Sequence, residues 1–115
     1  MSDLNELRDR MRAFTDERNW AKFHDPKSLV LALVGEVGEL AELFQWLPAD
    51  EAAQRVSAEP LRRRVGEEMA DVLAYLVRLA DILQIDLAEV TRKKLENSAE
   101  RFPAADVHGE APEKA

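Results

Sequence analysis

The stretch 29–47 constrains the fold most, because its helical pattern places carboxylates where a buried core is expected. It reads LVLALVGEVGELAELFQWL. At about 100° per residue, one apolar stripe collects Leu29, Leu33, Val37, Leu40, Leu43, Phe44 and Leu47. Glu36 falls inside this stripe, Glu39 at its edge and Glu42 further toward solvent. A core-facing carboxylate is costly unless it takes up a proton or meets a cation. We therefore expect this helix to contribute acidic groups to a site.

A second stretch, residues 65–83, repeats the conflict. Its sequence, VGEEMADVLAYLVRLADIL, has an apolar stripe made of Val65, Met69, Val72, Leu73, Leu76, Ala80 and Leu83. Glu68 borders that stripe, Asp71 follows one turn later, and Tyr75 continues the same flank. Each of the two helices thus presents an acidic pair at the i, i+3 spacing that stacks side chains on one face. If the helices pack antiparallel, four carboxylates can converge.

Two further helices are predicted on either side of this pair. The segment 3–18 has helical apolar spacing at Leu4, Leu7, Met11 and Phe14. Asp86 and Glu89 form a capping box, so a fourth helix is expected to begin there and to end at Pro103. No strand pattern interrupts the series, and the sequence predicts an all-α four-helix bundle.

The connections between these helices carry their own signals. Asp25 can cap a helix that has Pro26 at its first position, which starts the first acidic helix. Pro48 closes that helix, and the polar segment 48–60 is expected to separate the two halves. We assign residues 1–103 to a single domain and residues 104–115, which lack apolar periodicity, to a flexible C-terminal tail.

Composition limits the function classes. The chain has 115 residues, no cysteine and a formal net charge of −7. A phosphate backbone needs a basic face, so we expect no nucleic acid polymer as partner. No apolar signal core or membrane-length run is present, so the expected location is the cytoplasm, with no membrane partner. The apolar faces of the central helices are broad for a chain of this size, and we expect a homo-oligomer.

The four carboxylates have alternative interpretations. Exposed charges or partners of arginine are the ordinary ones, but two pairs that both border apolar stripes favour a metal site. A di-iron bundle would have a histidine three residues after the glutamate that begins each pair. Glu39 and Asp71 stand at these positions, while His24 and His108 lie elsewhere. All-oxygen ligation prefers a hard cation, hence Mg²⁺ or Mn²⁺. An open site of this kind suits phosphoryl or nucleotidyl chemistry.

These motifs resemble a known family. FTDERNWAKFHDPKSLVLALVGEVGELAELFQW is the most specific part, EEMADVLAYLVRLA is next, and the similarity runs from Phe14 to Pro103. The sequence resembles the all-α nucleoside triphosphate pyrophosphohydrolases of the MazG-like group, and most closely their dCTP pyrophosphatase branch. The resemblance implies hydrolysis between the α and β phosphates, with release of a monophosphate and pyrophosphate, by dimers or tetramers.

The resemblance also implies roles for individual residues. The Mg²⁺ ligands would be Glu36, Glu39, Glu68 and Asp71. The candidates for the nucleotide pocket would be Trp20, His24, Trp46 and Tyr75. Lys94 and Arg101 would approach the phosphates. The family often has an asparagine one turn after this lysine, whereas Ser98 stands here with Asn97 beside it, so substrate contact at Ser98 departs from the family pattern.

The sequence thus leaves two functions open. In the first, the chain is an enzyme that hydrolyses a nucleoside triphosphate, with dCTP or a modified pyrimidine deoxynucleotide as substrate. Either Glu36 or Glu39 would orient or deprotonate the attacking water, and both assignments stay open. In the second, the same bundle is a noncatalytic module that binds a nucleotide or a protein partner.

Overall fold

The computed structural model describes residues 2–111, and every regular element in this range is helical. The helices are α1 Asp3–Glu17, a 3₁₀ turn Ala21–Phe23, α2 Pro26–Glu42, α3 Ala52–Val56, α4 Leu61–Ile82, α5 Leu87–Arg101 and α6 Ala104–Val107. The all-α prediction is confirmed. The chain divides into two compact units, one up to Gln84 and one from Ile85 onward. Among residues 2–111, no helix combines the length and apolar character that crossing a bilayer requires.

The first unit is built on the packing of α2 against α4. His24, just before α2, contacts Arg78 near the end of α4, while Glu36 is close to Glu68 near its beginning. The two helices therefore run antiparallel, which is the arrangement that lets their acidic pairs meet. The apolar side chains that are buried most completely are Leu29, Val65, Val77 and Ala80. α1 also packs against α4.

The predicted starts of α2 and α5 are confirmed by their capping contacts. The Asp25 carboxylate accepts a hydrogen bond from the backbone N–H of Ser28 at 2.9 Å. The Asp86 carboxylate accepts one from the backbone N–H of Glu89 at 3.0 Å. In each case a side chain satisfies a backbone donor that has no partner inside the helix.

The end of α2 differs from the sequence prediction. The helix ends at Glu42 instead of continuing to Leu47, and residues 43–47 form turns. The N–H of Phe44 bonds to the Ala41 carbonyl and that of Leu47 to the Phe44 carbonyl, both at the shorter i−3 spacing. The residue before a proline disfavours helical geometry, so the last turns tighten ahead of Pro48.

Two short helices lie in segments where none was predicted. Ala52–Val56 forms α3 inside the expected polar break, where two successive alanines are strong helix formers. Ala104–Val107 forms α6 inside the expected tail. Residues 112–115 of that tail lie outside the described range, and the flexibility of the tail stays a prediction. The single domain 1–103 likewise stays a prediction.

The Asp86 cap gives a test of the second unit. Replacing Asp86 with alanine removes the acceptor for the Glu89 N–H, and we expect Asp86→Ala to lower the free energy of unfolding by about 1 kcal/mol. Asp86→Asn keeps an acceptor oxygen and should stay within a few tenths of a kcal/mol of the parent. Urea unfolding followed by circular dichroism measures both. Equal losses in the two variants would contradict the capping role.

Candidate functional site

Three carboxylates converge where α2 packs on α4. Glu36 and Glu39 come from successive turns of α2, and Glu68 comes from α4. One oxygen from each lies within 4.8 Å of the other two. The i, i+3 spacing stacks the first two on one face of α2, and the antiparallel packing supplies the third. The predicted convergence is thus present for three of the four carboxylates.

The electrostatics of this cluster are unfavourable without a partner. Glu36 and Glu68 are half-buried, and within residues 2–111 the Oε2 atoms of both are buried with no hydrogen-bond partner. Burial raises the pKa of Glu36 to about 7, helped by the hydrogen bond and negative charge of Glu39. Burial and Glu39 raise the pKa of Glu68 in the same direction. A hard cation would satisfy these oxygens, so the donor set fits Mg²⁺.

Asp71 lies beside the cluster and not within it. Its charge contributes to the raised pKa values of both Glu36 and Glu68, so the four carboxylates are neighbours. Its side chain, however, is outside the group of oxygens that share the 4.8 Å limit. Asp71 also lines an adjoining cavity. Its role as a metal ligand stays a prediction.

A cavity of about 410 Å³ opens next to Asp71, bounded by α1, the turn after it and α4. Its aromatic walls are Phe14, Trp20 and Tyr75, and its polar lining includes His24, Asp71, Arg78 and the buried Thr15. Small-molecule sites are typically apolar concavities with a few polar groups that fix orientation. Three of the four residues predicted for a nucleotide pocket are therefore brought together: Trp20, His24 and Tyr75.

The turn after α1 positions Trp20. Asn19 takes a left-handed conformation with φ of 53°, which asparagine tolerates better than most residues. The chain can then fold back, so that the backbone N–H of Trp20 bonds to the Thr15 carbonyl at 3.0 Å. The indole packs edge-to-face on Phe14 with ring centroids 5.7 Å apart. The aromatic wall is thus held by backbone geometry and by ring packing together.

The polar end of the cavity contains a residue that the sequence analysis missed. Arg78 is buried and donates from Nε to His24 Nδ1 at 3.0 Å and from Nη1 to Asp81 at 3.2 Å. Asp81 also accepts from Arg12 of α1 at 3.1 Å. Burial and the Arg78 charge lower the pKa of His24, which keeps its imidazole neutral at pH 7. The available signal was an arginine between Val77 and Leu79, inside an apolar run.

The remaining predicted residues lie elsewhere. Trp46 is 85% exposed and does not line the cavity; it lies in the turns that follow the end of α2 at Glu42. This exposure also excludes Trp46 as a core residue of the single chain. Lys94, Ser98 and Arg101 all lie on α5 in the second unit. Substrate contact by these four residues stays a prediction.

Comparison with known proteins agrees with this arrangement. A model of the MazG-like family matches residues 32–113. The chain belongs to the MazG-like family. It is 42% identical over 108 residues to dCTP pyrophosphatase 1 of Bos taurus, covering 94% of this chain and 64% of that protein. It is 44% identical over 101 residues to dCTP pyrophosphatase 1 of Homo sapiens, covering 88% and 59%. The chain thus spans less than two thirds of the length of these curated relatives.

A solved structure shares the fold. The crystal structure of a pyrophosphatase from Archaeoglobus fulgidus superimposes on this chain with a TM-score of 0.81 at 38% sequence identity. The match covers 90% of this chain and 94% of that one. The two chains therefore share one helical fold.

The raised pKa of Glu36 predicts a pH dependence of stability. Between pH 4.5, the ordinary pKa of a glutamate, and about pH 7, the folded protein binds more protons at Glu36 than the unfolded protein does. The free energy of unfolding of metal-free protein must then fall as pH rises through this range. We expect the Tm in chelator to decrease from about pH 5.5 to about pH 8, and the decrease to be smaller in Glu36→Gln.

Glu42→Gln is the matched control, because Glu42 is exposed on the same helix and lies outside the cluster. His24 also makes stability depend on pH, but its lowered pKa makes the free energy of unfolding rise with pH. This effect is the same in the parent and in each variant, so it cancels when they are compared. Added Mg²⁺ should raise the parental Tm more at the higher pH, where the carboxylates are ionised. A decrease in Tm that Glu36→Gln leaves intact would contradict this assignment.

Proposed function

We propose that this chain is a divalent-metal-dependent nucleoside triphosphate pyrophosphohydrolase, with dCTP or a modified pyrimidine deoxynucleotide as its substrate. The observation that carries the proposal is the cluster of unpartnered carboxylate oxygens beside an aromatic cavity. The relatives named dCTP pyrophosphatase support the reaction and the base. The products would be the monophosphate and pyrophosphate, and the setting would be the cytoplasm.

The proposed metal site consists of Glu36, Glu39 and Glu68, with Asp71 completing it. Mg²⁺, or Mn²⁺ in its place, prefers such an all-oxygen set. When bound, the ion would supply positive charge that neutralises the triphosphate and the leaving pyrophosphate. The same charge would offset the repulsion that raises the pKa of Glu36.

The proton of the attacking water would pass to a carboxylate of α2. Oxygens of Glu36 and Glu39 lie within 4.8 Å of each other, so an oxygen that is not fully engaged by metal can orient the water and accept its proton. Both residues remain candidates for this role.

The nucleoside would occupy the cavity. Trp20 and Tyr75 offer ring faces for a base, and stacking on an aromatic ring is worth about 1–3 kcal/mol by analogy with single-strand binding. His24 and Arg78 supply polar contacts at the same end. Lys94, Ser98, Arg101 and Trp46 would contribute further contacts to the phosphates and the base.

We further propose that the protein works as a homo-oligomer. α2 exposes an apolar strip made of Val30, Leu31, Val34 and Val37, and α4 exposes Met69, Leu73 and Leu76. Leu31 and Val34 are 61% and 62% exposed. Contiguous apolar surface on helices that also form the core is typical of an interface between copies.

Activity is tested directly with a panel of deoxynucleoside triphosphates, Mg²⁺ and an assay for pyrophosphate. We expect release from dCTP, loss of activity with chelator, and a kcat at least about 100-fold lower in Glu68→Gln, since a group that stabilises transition-state charge is lost. Glu42→Gln should keep parental turnover. Near-parental kcat in Glu68→Gln at saturating Mg²⁺ would refute the site. Nucleotide binding without pyrophosphate release would instead favour the noncatalytic module.

The oligomer is tested by light scattering at low micromolar concentration, where we expect at least a dimer. Val34→Glu places a charge in the apolar strip of α2 and should shift the mass toward 13.0 kDa, the mass of one chain. Ala53→Glu, at an exposed position of α3, is the control and should leave the assembly unchanged. A parental monomer with full activity would contradict the proposal.

A further inference from the structure

Arg78 is the unexpected feature of the cavity, because a charged side chain that is 6% exposed forms part of its wall. An arginine is rarely buried unless its charge is paired and its donors are satisfied. Here Nε bonds to His24 and Nη1 bonds to Asp81. One side of the guanidinium is therefore neutralised by a carboxylate, while the other is directed at an uncharged ring that also lines the cavity.

The bond between Arg78 and His24 fixes the state of the imidazole. A guanidinium stays protonated and can only donate. His24 Nδ1, at 3.0 Å from Arg78 Nε, must then be the acceptor and carry a lone pair. A neutral imidazole with a lone pair on Nδ1 has its proton on Nε2. His24 can therefore offer the cavity only a donor.

Asp81 holds Arg78 in this position. The Asp81 carboxylate, one turn further along α4, accepts from Arg78 on one side and from Arg12 of α1 on the other. These charged contacts lower the pKa of Asp81, the bond to Arg12 most of all, so the carboxylate stays ionised at neutral pH. The guanidinium is thus oriented by its ion pair with Asp81 on the same helix, and this orientation does not depend on a bound ligand.

We propose that Arg78 is a positioning residue that keeps His24 in its Nε2–H form, and that the donors which His24 and Arg78 then present together select cytosine over uracil. This inference rests on the proposed function and deepens it. The Arg78 guanidinium has five N–H donors, and the bonds to His24 and Asp81 use two of its nitrogens. His24 Nε2–H and the guanidinium together provide donors and no acceptor.

Cytosine and uracil differ in the hydrogen-bonding groups that would face His24 and Arg78. Cytosine presents two adjacent acceptors, N3 and O2, whereas uracil has a hydrogen on N3. A donor facing the N3–H of uracil leaves both groups unsatisfied in a buried site, which costs about 1–3 kcal/mol per group. Cytosine and uracil have nearly the same shape, so ring stacking on Trp20 or Tyr75 cannot separate them. Hydrogen-bond polarity is the remaining basis for discrimination.

The test is the ratio of kcat/KM for dCTP to that for dUTP. Both substrates carry the same triphosphate, so damage to the metal site cancels in the ratio. We expect the parent to favour dCTP and Arg78→Met to reduce the ratio by at least about ten-fold, or about 1.4 kcal/mol. The loss should come mainly from a higher KM for dCTP. Arg78→Lys keeps one cationic donor and should restore part of the ratio.

Arg12→Met is the matched control. It removes the other cation on Asp81 and should lower the Tm, but it leaves the bond from Arg78 to His24 in place. The ratio should therefore stay parental. An unchanged ratio in Arg78→Met, an equal loss in Arg12→Met, or a parent that does not distinguish the two substrates would each overturn the inference.

A second measurement does not depend on activity or on variants that fold poorly. Nitrogen-15 NMR of the parent reports which imidazole nitrogen carries the proton, and the chain has two histidines, so His108→Gln assigns His24. We expect a neutral Nε2–H ring near pH 7. An Nδ1–H ring would overturn the inference even if dCTP is hydrolysed. Absence of pyrophosphate release from every nucleotide, with the Nε2–H ring present, would instead count against the proposed function.

Discussion

The structure depends on carboxylates being held together at the contact between α2 and α4. Two buried oxygens, on Glu36 and Glu68, face this contact without a hydrogen-bond partner among residues 2–111. Such an arrangement opposes folding of the metal-free chain at neutral pH, because each added negative charge is both desolvated and repelled. It persists because the apolar faces around Leu29 and Val65 pack the helices together. The core thus stabilises the fold against a strain that a cation would relieve.

The two ends of the α2–α4 pair differ in how their buried charges are compensated. At the Glu36 end the charges have one sign, and residues 2–111 supply no counter-ion to them. At the other end, Arg78 is neutralised by Asp81, which is also bonded to Arg12. A buried charge that is paired within the protein is held in one orientation, whereas a cluster of like charges is stabilised only when a counter-ion binds. In the proposed function, the paired charge of Arg78 orients the base, and the cluster at Glu36 binds the metal together with the phosphates.

The sequence predicted the parts of this site that depend on local rules. Helical periodicity located the acidic pairs, and the caps at Asp25 and Asp86 marked two helix starts correctly. The sequence was less informative where a residue's position depends on the end of a helix or on a contact with a residue distant in sequence. Trp46 was placed by extending α2 beyond its actual end at Glu42. Arg78 was overlooked because its function depends on His24, which is distant in sequence and is joined to it only by the antiparallel packing.

α4 determines how the two ends of the site relate to each other. Glu68, Asp71, Tyr75 and Arg78 follow one another at spacings of three or four residues, so they form a single row along one face. At 1.5 Å per residue the row is about 15 Å long, from the carboxylate cluster to the donor end of the cavity. A ligand aligned with it would have a polyanionic end that binds metal and a planar end with hydrogen-bond acceptors. A cytosine nucleoside triphosphate has both ends in this order, and the row allows each to be recognised by independent chemistry.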